Sequence, residues 1–164
     1  MTPPITLQPI GVIRTPFTAP AGTPIQPAYA IGTPGEVMVD EAFERALADV
    51  DGFERLWLIY WFDRALPFEP RVVPYRDTRE RGLFATRSPC RPNPIGLSAV
   101  RLVRREGPVL HVLDVDVLDG TPLLDIKPYV PAFDAHVGAR AGWLDDVPTD
   151  RRHADSRFHG RDDR

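Results

Sequence analysis

The sequence has one cysteine, one lysine and no long apolar run, and these shortages exclude several classes of protein. A single cysteine, Cys90, cannot form an internal disulfide and suits the reducing cytosol. No apolar run reaches the roughly 20 residues that cross a bilayer, and the N-terminal residues lack the basic start and apolar core of a signal peptide. The four histidines lack zinc-ligand spacing. We therefore expect a cytoplasmic protein without a membrane segment or a bound metal.

The familiar nucleotide-binding and hydrolase motifs are also missing. The chain contains no Walker loop, no G-x-G-x-x-G and no G-x-S-x-G sequence. At 164 residues, with 43% hydrophobic residues, it is long enough to fold as one domain around a substantial core. We place that domain at residues 1–145, and we expect the polar residues 146–164 to form a frayed tail.

The net charge of −3 hides a strong asymmetry along the chain. Residues 71–105 carry nine arginines against two acidic residues, whereas residues 36–69 carry nine acidic residues against three arginines. The planar guanidinium group suits phosphate recognition, so a partner with phosphates bound at one place is indicated. A solvated basic surface without a partner is the alternative.

The hydrophobic pattern predicts a mainly β fold. Residues 6–14 and the nearly continuous apolar run at 53–62 read as strands, the second buried on both faces. Asp40 is a candidate N-cap for the one clear helix, which Gly52 would end. The count of about seven or eight strands and one short helix indicates a barrel-like sheet.

Asp119-Gly120, between apolar runs at 109–118 and 121–130, predicts a two-residue hairpin. In that register residue 116 faces 123 and residue 114 faces 125. Asp114, Asp116 and Asp125 would then share one face with Lys127, either as an acidic cluster or as a solvent-facing polar surface.

Residues 82–102 contain three closely spaced prolines between two predicted strands. Pro89, Pro92 and Pro94 exclude both helix and regular sheet, and they stiffen a segment rich in polar side chains. Such a loop suits ligand binding, although a rigid connection between strands would look the same. Cys90 lies between arginines but has no histidine nearby in sequence, so a spacer role is favoured over a nucleophile.

Five motifs together resemble one family. They read IGVIRTPF, Gln26-Pro27, FERLWLIYWF, GLFATRSPCRPNPIGLSAVRL and LDGTPLLDIKPYVP, in that order, between residues 10 and 131. The chain resembles the TsaA/YaeB-like family, whose best-known members are TrmO-type tRNA methyltransferases. The resemblance implies a homodimeric, YaeB-like β-barrel that uses S-adenosylmethionine and methylates N6 of threonylcarbamoyl-adenosine beside the anticodon of a tRNA.

The resemblance also implies site residues. The cofactor contacts would be Gln26, Pro27, Asp63, Arg64, Arg87, Ser98, Leu118, Asp119, Gly120 and Thr121. The candidates for catalysis, which would orient the acceptor N6, are Asn93, Asp125, Lys127 and Tyr129.

Two departures from the family pattern leave alternatives open. Familiar relatives often carry His-Gln where this chain has Asp63-Arg64, and longer bacterial relatives continue into a C-terminal domain. A methyltransferase or a cofactor sensor acting on a different RNA or on a small molecule is therefore the alternative.

Overall fold

A computed structural model describes residues 3–158 of the chain and places six of its eight strands in a closed barrel. The strands are β1 (Gly11–Arg14), β2 (Pro34–Val39), β3 (Arg55–Trp61), β4 (Arg71–Val72), β5 (Arg81–Gly82), β6 (Ile95–Glu106), β7 (Val109–Leu113) and β8 (Thr121–Pro128). The barrel order is β1-β2-β7-β6-β3-β8 with β1 closing on β8, every neighbouring pair is antiparallel, and β4 pairs with β5 outside the barrel. The predicted mainly β, barrel-like fold is confirmed.

The core lies inside the barrel because side chains alternate along each strand. In β3, Leu56, Leu58 and Tyr60 are buried, whereas Trp57 and Ile59 are only partly buried on the outer face. Burying each such apolar side chain contributes about 1.5–3 kcal/mol. The prediction that this strand is buried on both faces is therefore wrong, since a closed barrel has one inner and one outer surface.

The predicted hairpin is also wrong, although its turn forms. The Thr121 backbone N–H donates to the Leu118 carbonyl at 3.3 Å, and Gly120 has φ +78°. The flanking strands do not pair: β7 lies between β2 and β6, and β8 lies between β1 and β3. Strand β7 ends at Leu113, and Asp114 then adopts a left-handed φ of +70°, so residues 114–118 are irregular.

The helix predicted from Asp40 forms as 3-10 helix rather than as α-helix. The segment expected to form an α-helix from Asp40 is divided into two 3-10 helices, Glu41–Leu47 and Val50–Gly52, separated at Asp49 with its left-handed φ of +66°. The α-helix α1 covers only Pro131–Asp134. In the described part of the chain no helix has both the length and the apolar character that a bilayer span requires.

The C-terminal segment packs against the body of the protein. Pro24 and His153 form a β-bridge, and the Ala154 N–H donates to the Thr23 carbonyl at 2.7 Å. Phe158 is buried in a second apolar cluster with Cys90, which suits the spacer role expected of that cysteine. Within the segment 146–164, predicted to be a frayed tail, Ala154 and Phe158 thus contact the body of the protein, because Phe158 carries apolar surface into this cluster. Residues 159–164 of that predicted tail lie outside the described part.

Candidate cofactor site

A cavity of about 290 Å³ opens where β3 ends and where β6 and β8 begin. Its volume is at the lower limit of small-molecule pockets, which hold roughly 300–1,000 Å³. The walls come from distant parts of the sequence, from Pro20 to Ala154. Six of the ten predicted cofactor-binding residues line it: Gln26, Asp63, Arg64, Arg87, Leu118 and Thr121.

The other four predicted cofactor-binding residues lie close to this cavity without lining it. Asp119 and Gly120 form the turn between two lining residues, Leu118 and Thr121. Ser98 is buried behind the wall, and Pro27 begins the 3-10 helix that follows Gln26.

Arg64 fixes this turn against the end of β3. Its Nη2 donates to the Asp119 carbonyl at 3.0 Å and to Thr121 Oγ1 at 3.2 Å. The Asp119 carboxylate accepts from the Thr15 backbone N–H at 3.0 Å. Arg64 is thus both a cavity wall and a support for the turn.

A buried hydrogen-bond chain ends at Asp116 in the cavity wall. Ser98 Oγ donates to Asp116 Oδ1 at 2.6 Å. The Tyr60 hydroxyl lies 2.9 Å from Ser98 Oγ, and it is the donor because the single serine proton is already used. Tyr60 can reach Ser98 because Gly96 has no Cβ, which would overlap the tyrosine ring.

The environment of Asp116 favours its neutral form. Burial raises the pKa of its carboxyl to about 7, and the Ser98 hydrogen bond and the Arg87 charge lower it only in part. Burial, together with the Asp116 charge, raises the pKa of Tyr60 well above its ordinary value. Asp116 is therefore the group in this cavity poised to change charge near neutral pH.

Sequence reasoning missed Asp116 as a site residue because it grouped the three acids of the supposed hairpin. The structure separates them. Asp114 is buried, pairs with Arg55 at 3.1 Å and accepts from the Gly32 N–H at 2.8 Å. Asp125 lies elsewhere, on the outer face of the barrel. No local signal distinguishes the cavity acid from the ion-paired one.

The four residues predicted for catalysis do not line the cavity. Asn93 is exposed in the proline-rich loop. Asp125 and Lys127 form an ion pair of 2.9 Å on β8, and the Tyr129 ring packs on Trp57 with centroids 5.4 Å apart. The last three are thus brought together, but away from the cavity. Among residues 3–158, no group of three or more His, Cys, Asp or Glu side chains has a metal-holding arrangement.

The donor set of the cavity suits a ligand that carries both signs of charge beside a flat ring. Asp63 and Asp116 supply carboxylates, and Arg64 and Arg87 supply guanidinium groups. Aromatic rings and prolines also line the wall: Tyr60, Phe62, Tyr75, Pro20, Pro24 and Pro89. A zwitterionic amino acid joined to a nucleoside has these features.

Comparison with known proteins supports the predicted family. The model of the tRNA-methyltransferase O N-terminal domain matches residues 12–135. A Pyrococcus abyssi protein named as a probable S-adenosyl-L-methionine-binding protein is 50% identical over 141 residues, which cover 86% of this chain and 77% of that protein. The tRNA (adenine(37)-N6)-methyltransferase of Escherichia coli K12 is 34% identical over 149 residues, which cover 85% of this chain and 63% of the enzyme.

The fold comparison agrees. The crystal structure of TrmO from Pseudomonas aeruginosa matches with a TM-score of 0.76 at 40% identity, over 90% of this chain and 65% of that chain. This chain therefore spans less than two thirds of either bacterial protein. The predicted family is confirmed: the chain belongs to the TrmO-type family through its N-terminal domain.

Proposed function

We propose that this chain binds S-adenosylmethionine in the cavity and methylates N6 of an adenosine in tRNA. One observation carries the proposal: cofactor-binding residues that the family resemblance implies, from four separate parts of the sequence, line one cavity. The cofactor, when bound, supplies an electrophilic methyl carbon on a sulfonium sulfur. The names of the relatives, an S-adenosyl-L-methionine-binding protein and a tRNA methyltransferase, support the same assignment.

The cavity residues divide into two binding roles. Arg64 and Arg87 suit the carboxylate of the amino-acid part, because guanidinium groups pair with carboxylates in a planar fork. Arg87 Nη1 donates to Gln26 Oε1 at 2.6 Å, which leaves the Gln26 amide N–H groups free to donate to a ligand. Asp116, when ionised, attracts a cationic ligand in the same cavity.

The finer proposal is that the acceptor is threonylcarbamoyl-adenosine next to the anticodon. An N6 that already bears a carbamoyl group releases its proton readily, so a weak base suffices. Asp116, whose pKa is about 7, has the proton affinity that suits a base working near neutral pH. Alignment of the acceptor nitrogen with the methyl carbon would supply the larger part of the rate.

Methyl transfer from labelled S-adenosylmethionine to purified tRNA tests the proposal. We expect label in tRNA that carries threonylcarbamoyl-adenosine and none in the same tRNA without that modification. The variant Arg87→Ala should weaken cofactor binding measured by calorimetry. Equal labelling of both tRNAs would refute the finer proposal, and absence of cofactor binding would refute the whole proposal.

We also propose a homodimer that works in the cytoplasm. The outer face of β3 and β6 carries a continuous apolar row in which Ile59 faces Leu97 and Trp61 faces Ile95. Leu97 is 48% exposed and also lines the cavity, so a second subunit on this face would lie next to the cofactor. Light scattering should show a dimer for the native chain and a monomer for Leu97→Asp.

The alternative is a cofactor-binding protein that acts on a different RNA or a small molecule, or that only senses the cofactor. One observation favours it: the 50% identical relative is named for cofactor binding alone. Cofactor binding without methyl transfer to bulk tRNA would select this alternative. The division of the chain at residue 145 into a barrel domain and a tail also stays a prediction.

A further inference from the structure

A second cavity of about 550 Å³ adjoins the cofactor cavity and has no role in the function described so far. The two cavities share a wall made of Ile25, Gln26, Tyr75, Thr86 and Arg87. The hydrogen bond between Arg87 and Gln26 belongs to this shared wall. A ligand in the second cavity therefore lies beside whatever occupies the first.

Aromatic rings line the second cavity, and one of them is strongly exposed. Phe84 keeps 78% of its surface in contact with solvent. The Trp143 indole nitrogen donates to the Ala85 carbonyl at 2.8 Å, which holds the indole ring beside the 83–85 segment. An exposed phenylalanine beside an anchored indole offers flat apolar surfaces for a planar ligand to stack on.

Guanidinium groups stack on four of the rings that line this cavity. The pairs are Arg91 on Phe84, Arg81 on Trp143, Arg152 on Tyr29 and Arg157 on Tyr75, with distances of 5.4, 5.1, 5.6 and 5.4 Å to the ring centroids. Proteins that bind single-stranded nucleic acid use this same combination of aromatic and guanidinium planes on successive bases.

Several arginines around the second cavity carry charge that no acidic side chain neutralises. Within residues 3–158, four of them have no carboxylate oxygen within 4.0 Å: Arg76, Arg87, Arg91 and Arg152. By contrast, Arg81 is paired with Asp77 at 2.6 Å. Positive charge without a protein partner, beside planar rings, is complementary to the phosphates that flank a nucleobase.

We propose that the second cavity holds one unstacked nucleobase of a single-stranded RNA segment. The base stacks on the side of the cavity formed by the Phe84 and Trp143 rings. Its flanking phosphates contact the arginines that have no carboxylate partner. The inference rests on the proposed function, because the shared wall makes this base the acceptor next to the cofactor. A base in a duplex cannot enter, so the site selects a loop nucleotide.

Fluorescence anisotropy with a labelled polyuridine oligonucleotide carrying one central adenosine tests this site at a fixed salt concentration. The test variant is Phe84→Ala and the matched control is Phe133→Ala, since Phe133 is 76% exposed and lines neither cavity. We expect Phe84→Ala to weaken binding about tenfold, the loss of one stacked base, and Phe133→Ala to leave it within about twofold. Both phenylalanines are exposed, so neither variant should disturb folding.

Three results would overturn the inference. The first is an equal loss of binding in both variants, and the second is that the native chain does not bind the single strand. The third is that a duplex of the same sequence competes as strongly as the single strand does. The last would indicate a general basic surface. Calorimetry with S-adenosylmethionine on the same variants separates this inference from the proposed function. We expect Phe84→Ala to bind the cofactor as the native chain does. Loss of cofactor binding in this variant would show that the second cavity belongs to the cofactor. Absence of cofactor binding to the native chain would refute the proposed function alone.

Discussion

Replacing Asp116 with asparagine should change the stability of the protein in a pH-dependent way. The pKa of this carboxyl rises from 3.8 to about 7 on folding because burial penalises its charged form. Between these two values the unfolded chain releases the proton while the folded chain keeps it. The free energy of unfolding of the native protein therefore falls as pH rises through this window, and the loss is complete above the folded pKa.

The size of the effect follows from the shift. About three pKa units correspond to roughly 4 kcal/mol at 1.36 kcal/mol per unit. Asp116 keeps some contact with solvent at the cavity wall, so screening reduces the expected effect to about 1–2 kcal/mol. Asparagine does not titrate, and about two thirds of the shift lies above pH 5, so Asp116→Asn should gain about 1 kcal/mol relative to the native chain between pH 5 and pH 8.

Urea unfolding, followed by tryptophan fluorescence, gives the free energy of unfolding of both proteins at pH 5 and pH 8. The measured quantity is the change, between the two pH values, of the stability difference between variant and native protein. Every other titrating group cancels between the two proteins, so the comparison isolates Asp116. The same stability difference at both pH values would refute the raised pKa.

In addition, binding of cationic S-adenosylmethionine should tighten as pH rises through 7, whereas binding of its neutral thioether product should not. That contrast should be lost in the variant.

Two further variants test packing. Gly96→Ala should lower the free energy of unfolding by about 1–3 kcal/mol, because its Cβ would overlap the Tyr60 ring. The control Gly82→Ala, where nothing lies within 4 Å of the new Cβ, should change it by less than about 0.5 kcal/mol, and equal effects in urea unfolding would contradict this account. Phe158→Ala should cost about 3 kcal/mol and open Cys90 to a thiol reagent, since both belong to one apolar cluster. Continued protection of the thiol would show that Phe158 does not cover it.

Local sequence signals found the strands but not their partners. The apolar run at 53–62 contains β3, and Asp119-Gly120 marks a real turn. Pairing of β8 with β1 and β3 depends on contacts between residues more than fifty positions apart, which no short pattern encodes. The hairpin prediction failed for this reason, since the turn is compatible with both arrangements.

The candidate site, like the fold, could be predicted from the sequence only in part. The family motifs supplied Gln26, Arg64 and Arg87, which the fold brings to one cavity. Asp116 and the second cavity were not predicted, because their character comes from burial and from neighbours distant in sequence. An aspartate between two valines looks the same whether its side chain is ion-paired, solvated or held at a raised pKa.

The cofactor cavity is lined by residues from Pro20 near one end of the sequence to Ala154 near the other. A ribosome-bound chain therefore cannot complete this cavity until residues through Ala154 have emerged. Ligand binding, by mass action, would stabilise only the finished fold and none of the partly synthesised forms. Cellular cofactor supply would thus act on the abundance of complete protein rather than on its early folding.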